Sequence, residues 1–210
     1  MPFNLSATVS VLRCLKNPAL LYPQCTIATF DQLPYPLSSA FPGKPDIRAV
    51  VLDKDNCFAT PYSLEVYPAY TKTFTRLRAE FPGDRLLIVS NSSGTSDDAS
   101  HAEAAHLESA LGVRVLRHST KKPGCHGEIL EFFRTSPDGI GITRADQIAV
   151  VGDRLCTDVL MANLMGSYAV WVRDGVRPAR EKFYGKVESR IMQMLKRRGW
   201  AAPTPSSSPL

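Results

Sequence analysis

Five short aliphatic, mostly β-branched runs recur along the chain, and each stops on polar residues. They are IRAVVLD (47–53), LLIVSN (86–91), VRVLRH (113–118), IAVVGD (148–153) and AVWVRD (169–174). Such continuous runs suit strands buried on both faces of a parallel sheet. Helical spacing fills the gaps, over about 65–81, 97–111, 124–134, 156–165 and 178–197. Asp97 or Asp98 is placed to cap the second helix and Gly112 to end it. The alternation predicts an α/β fold with an open, doubly wound, mostly parallel sheet. Ligands in such sheets bind beyond the carboxyl ends of the strands, so the strand ends carry the functional reading.

Those ends collect a reactive set. The first brings Asp53-Lys54-Asp55, the second Ser90-Asn91-Ser92, and the third leads into HSTKKPG with Lys121 and Lys122. The fourth runs into GDRLCTD with Asp153 and Asp158, and the fifth reaches Asp174. In extended backbone residues two apart share a side, so Asp53 and Asp55 are expected to face one point and Lys54 to face away. Asp153 adds a third carboxylate from a neighbouring strand. Acids gathered in one crevice repel each other unless a hard divalent cation such as Mg²⁺ joins them. With the ion present, a carboxylate can attack a phosphoryl group while Ser90 and a lysine hold its oxygens. Taken singly, each element has a bland reading as turn former, helix cap or solvated charge pair. The order of all four along one sheet edge argues for chemistry.

Other reactive classes find no support. The five cysteines are scattered, without a Cys-x-x-Cys pair and without an arginine six residues after any of them. A disulfide framework, a zinc site and a cysteine-phosphatase loop are therefore not expected. No P-loop pattern occurs, and no run approaches the roughly 20 apolar residues of a membrane span. The net charge of +5 suits an anionic partner without choosing among a phosphate ester, an acidic membrane surface and nucleic acid.

Three zones are expected: an arm over 1–38, a domain over 39–198 and a disordered Pro/Ser tail over 199–210. The arm has no acid before Asp31. Leu5, Val9 and Leu12, with Val11 and Leu15, form an apolar helical stripe, Ser6, Ser10, Arg13 and Asn17 lie on another, and Pro18 should stop the helix. Three readings stay open for it: an anchor in a membrane interface, a helix packed on the domain, and a presequence.

The motif order resembles that of haloacid-dehalogenase-type (HAD) phosphatases: Asp53-x-Asp55, a strand ending at Ser90, Lys122-Pro123, and Gly152-Asp153-x-x-x-Thr157-Asp158. Cys57 departs from the Thr or Val that many members carry after the first motif. VLDKDNC and VVGDRLCTD, with the N-terminal segment, resemble more closely the mitochondrial phosphatidylglycerophosphate phosphatases of fungi and plants and their bacterial relatives. The resemblance implies a Rossmann-like HAD core, and the short intervals between motifs leave no room for a sizeable cap domain. It implies Asp53 as nucleophile, Asp55 as general acid and base, and Mg²⁺ held by Asp53, the Asp55 carbonyl and Asp153, with Asp158 in support. Ser90 and Asn91 would serve the phosphoryl group, Asn91 by orienting the nucleophile, and Lys122, preferred to Lys121, would offset charge. Lys54 would steady the loop or meet an anionic surface. The expected partners are a phospholipid substrate and an anionic membrane surface, with a homo-oligomer as an option and no nucleic acid. The expected location is peripheral, on the matrix side of the mitochondrial inner membrane. A capless phosphatase for a soluble ester and a non-catalytic phosphoryl receiver or scaffold are the alternatives.

Overall fold

A computed structural model describes residues 13, 14, 16–136, 141–178, 181 and 183–210, without the side chain of Phe183. Six strands form one sheet among these residues: β1 (Cys25–Ile27), β2 (Ala49–Leu52), β3 (Leu86–Ile88), β4 (Arg114–Val115), β5 (Ile148–Gly152) and β6 (Tyr168–Val172). Their order is β1-β6-β5-β2-β3-β4, and every pairing is parallel. The helices are α1 (Thr71–Glu80), α2 (Ala102–Leu111), α3 (His126–Thr135), α4 (Leu160–Met165) and α5 (Phe183–Arg197).

Alternate strand residues sort to opposite faces, as the two-residue period of a strand requires. Val50, Leu52, Leu86, Ile88 and Val151 join Phe74 and Leu77 of α1 and Leu107 of α2. Val51, Leu87, Ile148 and Val150 join Ile129 and Phe133 of α3, Met161 of α4 and Met192 of α5. Both faces are thus covered, which explains the unbroken aliphatic runs.

Three elements depart from the sequence expectation for local reasons. Pro68 disfavours helix at the residue before it, so 3₁₀ residues Pro68–Tyr70 precede α1 and the helix starts late. Ser100 and His101 adopt positive φ, which delays α2. Asp98 then caps from a distance, accepting the N–H groups of Glu103 (2.9 Å) and Ala104 (3.0 Å). The strand expected over VRVLRH shrinks to the two residues of β4, although Leu116 N–H still donates to Ile88 O at 2.9 Å.

The apolar helix read over the first residues lies largely outside the described ones, including Leu5, Ser6, Val9, Ser10, Val11, Leu12 and Leu15. The rest of the arm is continuous with the domain. β1 adds an edge strand beside β6, and Phe30, Leu33, Leu37 and Phe41 sink into the core. Phe30 lies 6.2 Å from the Phe58 ring and 5.7 Å from the Tyr70 ring, centroid to centroid. The tail, expected to be disordered, is held by its backbone: Ser206 N–H donates to Gly166 O (2.8 Å), Asp146 N–H to Ser206 O (3.1 Å) and Leu210 N–H to Thr143 O (2.9 Å). Composition carries no sign of such main-chain bonds.

The sheet also aligns the site. Leu52 pairs with Ile88 on one side and Val151 on the other, and Asp53 N–H extends the ladder to Val151 O at 2.9 Å. The central strands therefore end level. The chain leaves β2 toward β3 and β4, then returns on β2's other flank through β5, so the crevice beyond β2 and β5 is the topological switch point. Phe30→Ala should cost about 3–5 kcal/mol in urea unfolding. A cost below about 1 kcal/mol would mean that the arm docks only loosely.

Candidate active site

Asp53, one residue past β2, is 7% exposed. Lys122 reaches it from the loop after β4: the ammonium donates to Asp53 Oδ1 and, at 2.7 Å, to Asp158 Oδ1. All three side chains are buried. The carboxylates of Asp53, Asp153 and Asp158 bring oxygens within 4.8 Å of one another. Burial, followed by the charges of Asp158 and Asp153, outweighs Lys122 and pushes the Asp53 pKa up to about 8. Burial opposes the charge on Lys122, yet Asp158 and Asp53 hold its pKa above the ordinary lysine value. Lys121 points elsewhere and pairs with Asp97.

The strand-end loops are braced against one another. Asn91 Oδ1 accepts the Lys122 N–H at 2.8 Å, so this oxygen fixes the lysine's loop, where an orienting contact to the nucleophile was expected. His118, on the β4 side, contacts Ser90 O at 2.9 Å and Thr120 O at 2.7 Å. Gly152 makes room for Asp158: a Cβ there would fall 2.3 Å from Asp158 Cγ. The Asp158 side chain can therefore fold back over the strand end, where Oδ2 accepts the Arg154 N–H at 3.1 Å. The Gly-Asp start of the fourth motif follows from that packing. Val159 N–H reaches back five residues to Arg154 O (3.2 Å), forming a wide π-type turn before α4.

Asp55 departs from the expected geometry. The chain leaves the extended conformation after Asp53, and Cys57 N–H and Ala59 N–H both turn back to Lys54 O at 3.2 Å. The Asp55 carboxylate accordingly lies outside the three-acid cluster. It accepts from Lys54 Nζ (2.6 Å), Tyr62 N–H (2.9 Å), Ser92 Oγ (2.8 Å) and Ser90 Oγ (3.4 Å). Burial disfavours its charge, but Lys54, Tyr62 and Ser92 together hold its pKa below the ordinary value. Lys54 is 1% exposed and also donates to Ser63 O at 3.2 Å. It braces the loop and meets no surface.

Four further residues shape the site. Ser92 is placed by a turn past Ser90, whose Oγ accepts the Ser92 N–H at 3.1 Å. Asn56, at φ 64, donates to Asp153 Oδ2 at 2.7 Å, and its Oδ1 accepts the Arg177 N–H at 2.8 Å. The readable signal was an Asn after the acid pair, since Asn tolerates left-handed backbone. Tyr184 OH donates to Asp153 Oδ2 at 3.3 Å. Glu188, the acid buried on α5, accepts the Leu155 N–H (2.8 Å) and Cys156 N–H (3.3 Å). Burial raises its pKa to about 7. Nothing local in the sequence ties Tyr184 or Glu188 to β5. Cys57 is buried in the core on the Val50 and Leu52 face of the sheet.

Three buried carboxylates form an all-oxygen donor set, which suits a hard divalent cation. The raised Asp53 pKa gives such an ion a role, because a positive charge there favours the ionised, nucleophilic carboxylate.

Comparison with known proteins agrees with this geometry. Residues 5–177 match the family described as mitochondrial PGP phosphatase. The chain is 46% identical over 192 residues to phosphatidylglycerophosphatase GEP4, mitochondrial, of Saccharomyces cerevisiae, covering 91% of this chain and 98% of that protein. It is 34% identical over 181 residues to the probable mitochondrial phosphatidylglycerophosphatase of Schizosaccharomyces pombe, covering 84% and 85%. Against phosphatidylglycerophosphate phosphatase 1 of Arabidopsis thaliana the identity is 35% over 152 residues, covering 71% of this chain and 41% of the plant protein. No solved structure gives a significant match. The chain belongs to the mitochondrial PGP phosphatase family.

Proposed function

We propose that the protein is a Mg²⁺-dependent phosphatase that removes the terminal phosphate of phosphatidylglycerophosphate, leaving phosphatidylglycerol, the lipid that leads to cardiolipin. The observation that carries this reading is the buried Asp53–Lys122–Asp158 bridge beside Asp153, in a chain so similar to a named phosphatidylglycerophosphatase. Asp53 attacks the terminal phosphorus; its bond to phosphorus forms as the bond to the glycerol oxygen breaks. Asp55 gives its proton to the departing alkoxide. It then takes a proton from water, whose oxygen displaces Asp53 and releases inorganic phosphate.

The chain's side chains fit these tasks unevenly at rest. Lys122 is in place to offset charge on Asp53 and on the arriving phosphoryl group. Asp55 rests as a carboxylate tied to Lys54 and Ser92. The incoming phosphoryl anion opposes that ionisation, so substrate binding itself favours the protonated acid. Ser90 donates its hydroxyl to a phosphoryl oxygen, and Asn91 keeps Lys122 in register. Asp53, Asp153 and the Asp55 carbonyl would hold Mg²⁺, and Asp158 supports the lysine. When bound, the ion supplies positive charge that stabilises the transferring phosphoryl oxygens.

The fungal relatives are named mitochondrial, and among the described residues no helix is long and apolar enough to cross a membrane. The relatives' names support a mitochondrial enzyme; a peripheral place on the matrix side of the inner membrane, against an anionic lipid surface and with a homo-oligomer as an option, belongs to the proposal.

Phosphate release from phosphatidylglycerophosphate in detergent, beside a panel of soluble esters, tests the reading. Mg²⁺ should restore the activity that EDTA removes, and Asp53→Asn should lower turnover by at least about three orders of magnitude. Full activity in excess chelator, or far better turnover of a soluble ester, would contradict it. Lys122→Met should destabilise the metal-free protein by about 3–5 kcal/mol, because it leaves buried carboxylates without their cation. A loss under about 1 kcal/mol in urea would show that the bridge contributes little.

A further inference from the structure

Phosphatidylglycerophosphate carries a second phosphate, the diester that joins its glycerol headgroup to the lipid. Resting on the function proposed above, we infer that Arg154 and Tyr184 form a subsite for this phosphodiester and set the enzyme's preference for it. Arg154 follows Asp153, and its Nε lies 3.8 Å from Asp153 Oδ1. Its guanidinium sits over the Tyr184 ring, 4.5 Å from the centroid. Its side chain is 43% exposed, whereas the Asp153 side chain is 1% exposed. The charge thus stands at the boundary between the acid cluster and solvent. Burial opposes that charge, but Asp153, Tyr184, Asp53 and Asp158 all favour it.

Charge matching explains why such a group is needed. Lys122 is committed to Asp53 and Asp158 inside the cluster, so the diester's negative charge calls for a cation at the solvent edge, where Arg154 stands. A planar guanidinium presents a donor fork matched to phosphate oxygens, and stacking on a ring holds the fork in one plane. The base of the arginine is fixed as well. Its backbone N–H is held by Asp158 Oδ2 at 3.1 Å, the next two N–H groups by Glu188, and the ring beneath it by Asp153 at 3.3 Å. Among the described residues the 3.8 Å approach to Asp153 is its one ion pair. That distance exceeds hydrogen-bonding range, so an arriving diester need not break a close Arg154–Asp153 bridge, and the contact with Tyr184 stays as the guanidinium's support. A phosphate monoester on a plain alcohol has no group for this subsite.

Three substrates test the assignment: phosphatidylglycerophosphate in neutral-detergent micelles, its deacylated headgroup, and glycerol 3-phosphate, which lacks the diester. Arg154→Met should raise KM at least about tenfold for both diester-bearing substrates, with KM and kcat for glycerol 3-phosphate changed less than about twofold. Arg154→Lys, which keeps the charge without the stacked fork, should give an intermediate KM. Calorimetric binding of the deacylated headgroup to Asp53→Asn protein should weaken by a similar factor when Arg154→Met is added. An equal loss on all three substrates would overturn the subsite and place Arg154 on the transferring phosphoryl group. A loss on micelles alone would overturn it in favour of general contact with the lipid surface. If unmodified enzyme turns over glycerol 3-phosphate but neither diester-bearing substrate, the proposed function itself fails, a result distinct from either.

Discussion

The Lys122 ammonium is the one charge on which the site's arrangement depends. It is buried between Asp53, just past β2, and Asp158, in the turn that follows β5. Without it, three carboxylates would share a space poor in water, and the chain would have to protonate them or move them apart. With it, two are bridged, and the cluster stays compact enough to offer oxygens to a single cation. The bridge also explains two features that look unrelated in the sequence. Asn91 holds the Lys122 backbone, and Gly152 has no side chain where Asp158 must fold back.

The acid pair of the first motif is divided by a change in backbone direction. Asp53 continues the β2 ladder, while Asp55 enters a tight loop closed on the Lys54 carbonyl. Asp53, the proposed nucleophile, is therefore tuned by the sheet and its cluster, and Asp55, the proposed proton donor, by the loop. Their pKa values move in opposite directions, up for Asp53 and down for Asp55. Both shifts run against the protonation that the proposed steps require, and in that proposal a bound cation and the substrate would supply the correction.

Much of this was legible in the sequence because it depends on local order. Parallel strands show as unbroken aliphatic runs, and their ends bring Asp53, Ser90, Lys122 and Asp153 to one edge through the regularity of the α/β fold. Readings failed where a side chain answers to a distant partner or to a single turn. The two-residue period fails for Asp55 because the backbone turns after Asp53. Of the two readings for Lys54, loop-steadying holds and the surface role fails, because its carbonyl partner at Ser63 lies across a loop. Tyr184 and Glu188 could not be assigned to the β5 loop, since α5 is joined to it only by the fold. The tail's order comes from main-chain hydrogen bonds, which leave no mark on composition.

The central claim is that the phosphoryl group passes through Asp53. Acid quenching of enzyme turning over phosphatidylglycerophosphate labelled in its terminal phosphate, followed by borohydride reduction and peptide mass spectrometry, tests it directly. The account expects an acid-stable, alkali-labile label and a reduced side chain at Asp53. A label on another residue, or phosphate formed in a single turnover without any modified Asp53, would contradict it.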